Sequence, residues 1–256
     1  MHDDFSHPSA DWAPSRHTTD LHHPLAPIVW AGNEETPIML AWFLAAALSL
    51  TDLSPAVEAA LRPLTEAIAS ARAKQAALPD NPTPREQLEL ALALDQEPLK
   101  AMHSVDLSTL SEADRRTARA AAEARLDALS EETVATVLSL VPAEGWFSNA
   151  VYGQDAATGA FLVIQHADTA LQKRFLPALE AMADHGEALK WQYAMMYDRI
   201  AVAENRPQRY GTQMQRVAGR MVPAPTEDPE RLEQRRAPMG FRWTNYNAYL
   251  ANFGAC

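Results

Sequence analysis

His166 lies in the run FLVIQHADTALQ, beside Gln165, Asp168 and Gln172. An imidazole is suited to proton transfer near neutral pH, and a neighbouring carboxylate can orient it or serve as a second acid–base group. Asp168 and Asp198 are the candidates for that carboxylate. Gln165, Gln172, Tyr210 and Gln213 offer hydrogen bonds to polar substrate atoms, and Arg199 and Arg236 offer charge to an anionic one. Hydrolysis of a small polar or peptide-like substrate is the broadest reaction class compatible with this inventory. The alternative is a non-catalytic ligand- or protein-binding module built from the same groups.

A divalent metal is a further expectation, with His166, Asp168 and Glu187 as its ligands, since carboxylate–imidazole sets suit such ions. Nothing in the sequence requires a cofactor. His166 and Asp168 are two apart and diverge on a helix, which is poor chelate spacing. No nucleophile elbow, zinc-protease pair, phosphate loop or dinucleotide fingerprint occurs, and the single cysteine, Cys256, is terminal. One cysteine also excludes an internal disulfide and every multi-cysteine metal site.

Helices must position these groups. The spacing predicts one helix over about 160–183, with Gln165, Asp168 and Gln172 on one face and Pro177 as a kink. A second is predicted over about 187–204, carrying Tyr193, Tyr197, Asp198 and Arg199. Four prolines between residues 205 and 229 predict a long ordered loop, in which Gln208, Tyr210, Thr212 and Gln213 surround Gly211. Arg235 and Arg236 lie beyond it, and a short helix is expected over 246–253. Residues 145–159, punctuated by Gly, Asn and Asp, read as a loop with one short extended segment.

Upstream, helix starts are marked by caps. Ser54-Pro55 opens a stripe of Val57, Leu61, Leu64 and Ile68 that Pro63 interrupts. Thr83 and Glu86 have capping-box spacing, leading a helix through Leu88, Leu92 and Asp95. Ser111 opens another helix, and Ser130 with Glu131 and Glu132 is read as opening a third. The fold class is therefore all-α or α-rich: an irregular helical domain with a long ordered C-terminal loop and an N-terminal helical extension. Its boundaries are a flexible arm over 1–33, the helical extension over 34–80, and the main domain with the candidate site over 86–253.

The 256 residues carry 33 acids and 22 bases, a net charge of -11. The surplus is uneven, because residues 161–256 hold 10 acids and 12 bases. An acidic chain argues against nucleic acid or an anionic membrane as partner, while the slightly basic last third suits a small polar or anionic ligand. The start lacks the basic and apolar regions of a secretory signal. The apolar run Ile38–Leu50 has 13 residues, against the roughly 20 needed to cross a bilayer, and reads as a buried helix or a helix that meets a protein partner. Cytoplasm is the expected location.

A set of short motifs carries a resemblance: Asp95-Gln96, Gly145-Trp146, Gln165-His166-Ala167-Asp168, Gly186-Glu187, Asp198-Arg199, and Gln208-x-Tyr210-Gly211-Thr212-Gln213, closed by Arg235-Arg236 and Gly240. In order and spacing the set resembles an uncharacterised bacterial family, domain of unknown function 6624, over about residues 86–253. Phe147 stands where the family pattern has proline, and the front 80 residues have no counterpart in its core. The resemblance ranks residues and implies no particular chemistry.

Overall fold

The computed structural model describes residues 53–217, 220–242 and 245–251. The arm, the Ile38–Leu50 run and Cys256 lie outside them. Ten α-helices and one β-hairpin occur among the described residues. In chain order they are α1 (Pro55–Ala60), α2 (Arg62–Ala76), α3 (Pro84–Ala101), α4 (Glu112–Leu140), α5 (Asn149–Tyr152), α6 (Gln154–His166), α7 (Thr169–Asp184) and α8 (Lys190–Ala203). The hairpin strands β1 (Met214–Val217) and β2 (Arg220–Pro223) follow, then α9 (Leu232–Arg236) and α10 (Tyr246–Ala251). The α-rich reading holds.

The caps act as their chemistry requires. Ser54, Thr83 and Ser111 each accept a bond from the backbone N–H three residues on, and the Glu86 carboxylate accepts the backbone N–H of Thr83 at 2.7 Å. Pro63 falls at the junction where α1 gives way to α2.

Ser130 differs from expectation: it lies inside α4, a single helix of 29 residues. The buried register Ala118, Ala122, Leu129, Thr133, Val137 runs through that point without interruption, and no glycine or proline breaks it. A continuous packed stripe outweighs one capping signal.

Residues 145–159 also depart from the expected loop. The short helix α5 reaches Gly153, whose φ of +81° turns the chain directly into α6. The expected helix over 160–183 is two helices, separated at Ala167, and the loop after α8 contains the antiparallel hairpin pairing Met214 with Pro223 and Val217 with Arg220.

The main core joins α3, α6, α7 and α8 through Leu88, Phe161, Ile164, Phe175, Leu179 and Met196. Phe147 is fully buried between Trp146 and Tyr152, with its ring 5.9 and 5.2 Å from theirs, so the departure from the family pattern adds an aromatic to the core. A second cluster packs Val57, Leu61 and Leu64 of the front helices against Ala118 and Ala122 of α4. The front helices therefore pack on their own chain. Arg72 of α2 ties the two parts further, donating to both oxygens of Glu132 at 2.7 and 2.6 Å.

Candidate functional site

The imidazole of His166, at the end of α6, meets Asp95, a carboxylate three helices earlier on α3. Nδ1 lies 3.0 Å from both carboxylate oxygens. The Asp95 side chain is 5% exposed and the His166 side chain 24%, so the carboxylate is shielded from solvent while the ring remains reachable. Gln96 donates from Nε2 to the same carboxylate at 2.6 Å. An ionised carboxylate is an acceptor, so Nδ1 is the donor in this pair, and the lone pair of a neutral ring so placed is on Nε2.

Two helices set that distance. At Gly159 an added Cβ would lie 2.7 Å from the carbonyl oxygen of Leu88 and 2.9 Å from Cβ of Leu92. Glycine thus lets α6 approach the backbone of α3 more closely than any other residue would. Seven residues on from Gly159 is His166, and seven on from Leu88 is Asp95. The helices therefore run in the same direction, and two turns, about 10 Å, carry the close contact to the His–Asp pair.

Beyond His166 the chain breaks, and the neighbouring polar residues hold the break. Asp168 caps α7, accepting the N–H of Leu171 at 2.8 Å. Gln172, buried, donates to the carbonyls of Gln165 and Ala167, both at 2.9 Å. These are carbonyls at the end of α6 that the helix itself cannot satisfy. The amide oxygens of Gln165 and Gln172 are buried with no hydrogen-bond partner among the described residues. Such acceptors call for a donor from water or a ligand.

Asp198 serves a different structure. It is fully buried and accepts from the N–H groups of Arg209, Tyr210 and Thr212 at 2.7, 2.9 and 2.9 Å, and from the Thr212 hydroxyl at 3.0 Å. Burial pushes its pKa up, against the pull of these donors toward the anion. Gln208 closes the same loop from inside, bonding the carbonyls of Gln213 and Ala224 and the N–H of Gln213. Gly211, at φ +69°, passes under the Tyr246 ring, where a Cβ would come within 2.9 Å. The loop motif is thus explained by its folding.

The other predicted residues divide accordingly. Arg236 is buried, donates to the Tyr210 carbonyl at 2.7 Å and faces the rings of Phe241, Tyr246 and Tyr249 at 4.2, 5.1 and 4.9 Å. Arg235 holds the carbonyls of Arg209, Glu227 and Asp228. Gln213 donates to the Thr212 hydroxyl at 3.0 Å. Tyr210 packs against Tyr193 and Tyr197.

Arg199, half-buried on α8, has a buried Nε without a hydrogen-bond partner among the described residues, and burial lowers its pKa. Glu187 lies in the turn before α8, its backbone carbonyl accepting the Asn149 N–H at 2.8 Å.

The carboxylate at the imidazole is therefore Asp95, whereas Asp168 and Asp198 belong to a helix cap and a loop clasp. The sequence signal for Asp95 is its register: Leu88, Ala91 and Asp95 share one face of α3, and the first two are buried. A carboxylate in that register needs a partner from another element. Among the described residues, no three His, Cys, Asp or Glu side chains are grouped to hold a metal, so His166, Asp168 and Glu187 do not form such a set. No helix among them is long and apolar enough to cross a membrane.

The chain belongs to the family of unknown function DUF6624, whose model matches residues 94–252. Both the His166–Asp95 pair and the Asp198 clasp fall within the match. Curated proteins and solved structures yield no match to the chain.

Proposed function

We propose that this member of the family is a hydrolase for a small polar or peptide-like substrate, with His166 as its general base. The observation that carries the reading is the partly exposed imidazole held through Nδ1 by a buried carboxylate. Asp95 fixes the tautomer and stabilises the imidazolium that forms when Nε2 takes a proton from water. Gln96 holds Asp95 in place. The unsatisfied amide oxygens of Gln165 and Gln172 are assigned to donors of the substrate, and Arg199 to an anionic group on it. Asp168 and Asp198 support this reading indirectly, through the helix break and the loop. Residues 86–253 are read as the functional domain, with α1 and α2 as its buttress.

The test is turnover of a panel of p-nitrophenyl esters and dipeptides by the full chain and by His166→Ala and Asp95→Asn. A general base contributes about 10²–10⁴-fold, so His166→Ala is expected to lose at least the lower figure, with a smaller loss for Asp95→Asn. Turnover that survives in His166→Ala overturns the proposal. If the panel is bound but not turned over, the binding-module alternative takes its place.

A further inference from the structure

The opposite end of α7 carries a cleft that the His166 pair does not use. Glu180 follows the helix start at Thr169 by 11 residues, or roughly 16 Å along the axis. We propose that this cleft binds a small zwitterion of the amino-acid type: its ammonium toward α7, its carboxylate toward α8 and the loop, its side chain on the tyrosines beneath.

The cleft encloses about 260 Å³ between α7, α8 and the loop that Asp198 anchors. Pockets for drug-sized ligands measure about 300–1,000 Å³, so this space suits a smaller metabolite. Glu180 and Asp184, one turn apart on the same face of α7, supply negative charge on one side. Lys190, the first residue of α8, and Arg209 supply positive charge on the other. Among the described residues no ion pair joins these four side chains. Tyr193 and Tyr210 lie beneath, with ring centroids 6.4 Å apart and planes at 71°.

One wall of the cleft is fixed before any ligand arrives. Burial, with Glu180 nearby, raises the pKa of the Tyr193 phenol and keeps it neutral. The backbone of Arg209 is fixed by its bond to Asp198, and its guanidinium stands 5.9 Å from the Tyr210 ring.

A simple anion would meet Glu180 and Asp184, and a simple cation would meet Lys190 and Arg209. An uncharged ligand would cover four charges without replacing their water. A molecule carrying both signs satisfies both sides, and an aromatic side chain can pack against the tyrosines.

The test uses the full chain and amide NMR titrations with L-phenylalanine, 2-phenylethylamine and 3-phenylpropanoate. L-Phenylalanine is expected to give saturable shifts at Ala183, Lys190 and Tyr210. Each truncated analogue, lacking one charge, should bind about five-fold more weakly or worse, the upper end for a partly exposed ion pair. Glu180→Gln and Arg209→Ala, both at exposed positions, should weaken L-phenylalanine while leaving the remaining spectrum unchanged. Absence of saturable shifts up to the solubility limit overturns the proposal, as does equal affinity for all three compounds. His166→Ala should bind L-phenylalanine like the parent chain, which keeps this result separate from that for the proposed hydrolase.

Discussion

Asp95 and Asp198 are both buried helical carboxylates, at 8% and 0% exposure, yet they serve opposite purposes. Asp198 is engaged by the main chain of its own loop, through three backbone N–H groups and one hydroxyl. Asp95 is engaged by side chains alone, those of His166 and Gln96. The first arrangement organises a fold. The second orients an imidazole that solvent still reaches. Burial of a carboxylate therefore does not by itself mark a reactive site; the identity of its donors does.

The most severe way to probe that contrast is to remove each carboxylate. Asp198→Ala leaves several buried donors without an acceptor and should cost about 3–5 kcal/mol, near the penalty for breaking a buried charged network. Amide exchange at Arg209, Tyr210 and Thr212 should accelerate with it. Asp95→Asn keeps an oxygen for Gln96 and offers an amide N–H to the ring, and should cost about 1 kcal/mol, within the range of a single hydrogen bond. Denaturant unfolding of the two variants measures both; equal losses would break the comparison.

Gly159→Leu is expected to cost about 1–3 kcal/mol by overpacking the α3–α6 contact. It should also shift the His166 ring resonances while leaving the Asp198 loop amides in place. Loop amides that move as much as His166 would show that the two regions are coupled.

The smallest effect lies away from both. Arg72 holds the Glu132 carboxyl below the usual glutamate range by donating to it. A lowered folded pKa stabilises above the ordinary glutamate value of about 4.3 and is lost as pH falls through the folded value. Both side chains are more than a third exposed, so the contribution is below about 1 kcal/mol. Glu132→Gln should flatten the acid limb of a stability–pH curve below pH ~4.3, leaving the neutral value slightly reduced.

What the sequence made legible follows from the range of the interactions. Thr83, Glu86, Ser54 and Ser111 act within a single turn, so their types and spacing are enough. Asp168 has the same local logic, an aspartate whose oxygen meets the N–H three residues on, but its neighbour His166 drew it into a chemical reading. The His166–Asp95 bond spans 71 positions, and its register depends on a glycine packed against a helix far upstream. The Gln208–Gln213 motif stood out by composition, while its purpose required the depth of Asp198. Charge behaved likewise: the basic last third includes Arg235 and Arg236, which are already committed to backbone carbonyls.

The central claim is that Asp95 holds the proton on Nδ1 of His166 and leaves Nε2 free to act as the base. Nitrogen-15 NMR of the histidine rings, in the neutral form, reads this tautomer directly. The account predicts Nδ1–H for His166 in the parent chain and a shift toward Nε2–H in Asp95→Asn, whose amide can donate to Nδ1. A parent ring already protonated at Nε2, or a tautomer unchanged by Asp95→Asn, would contradict it.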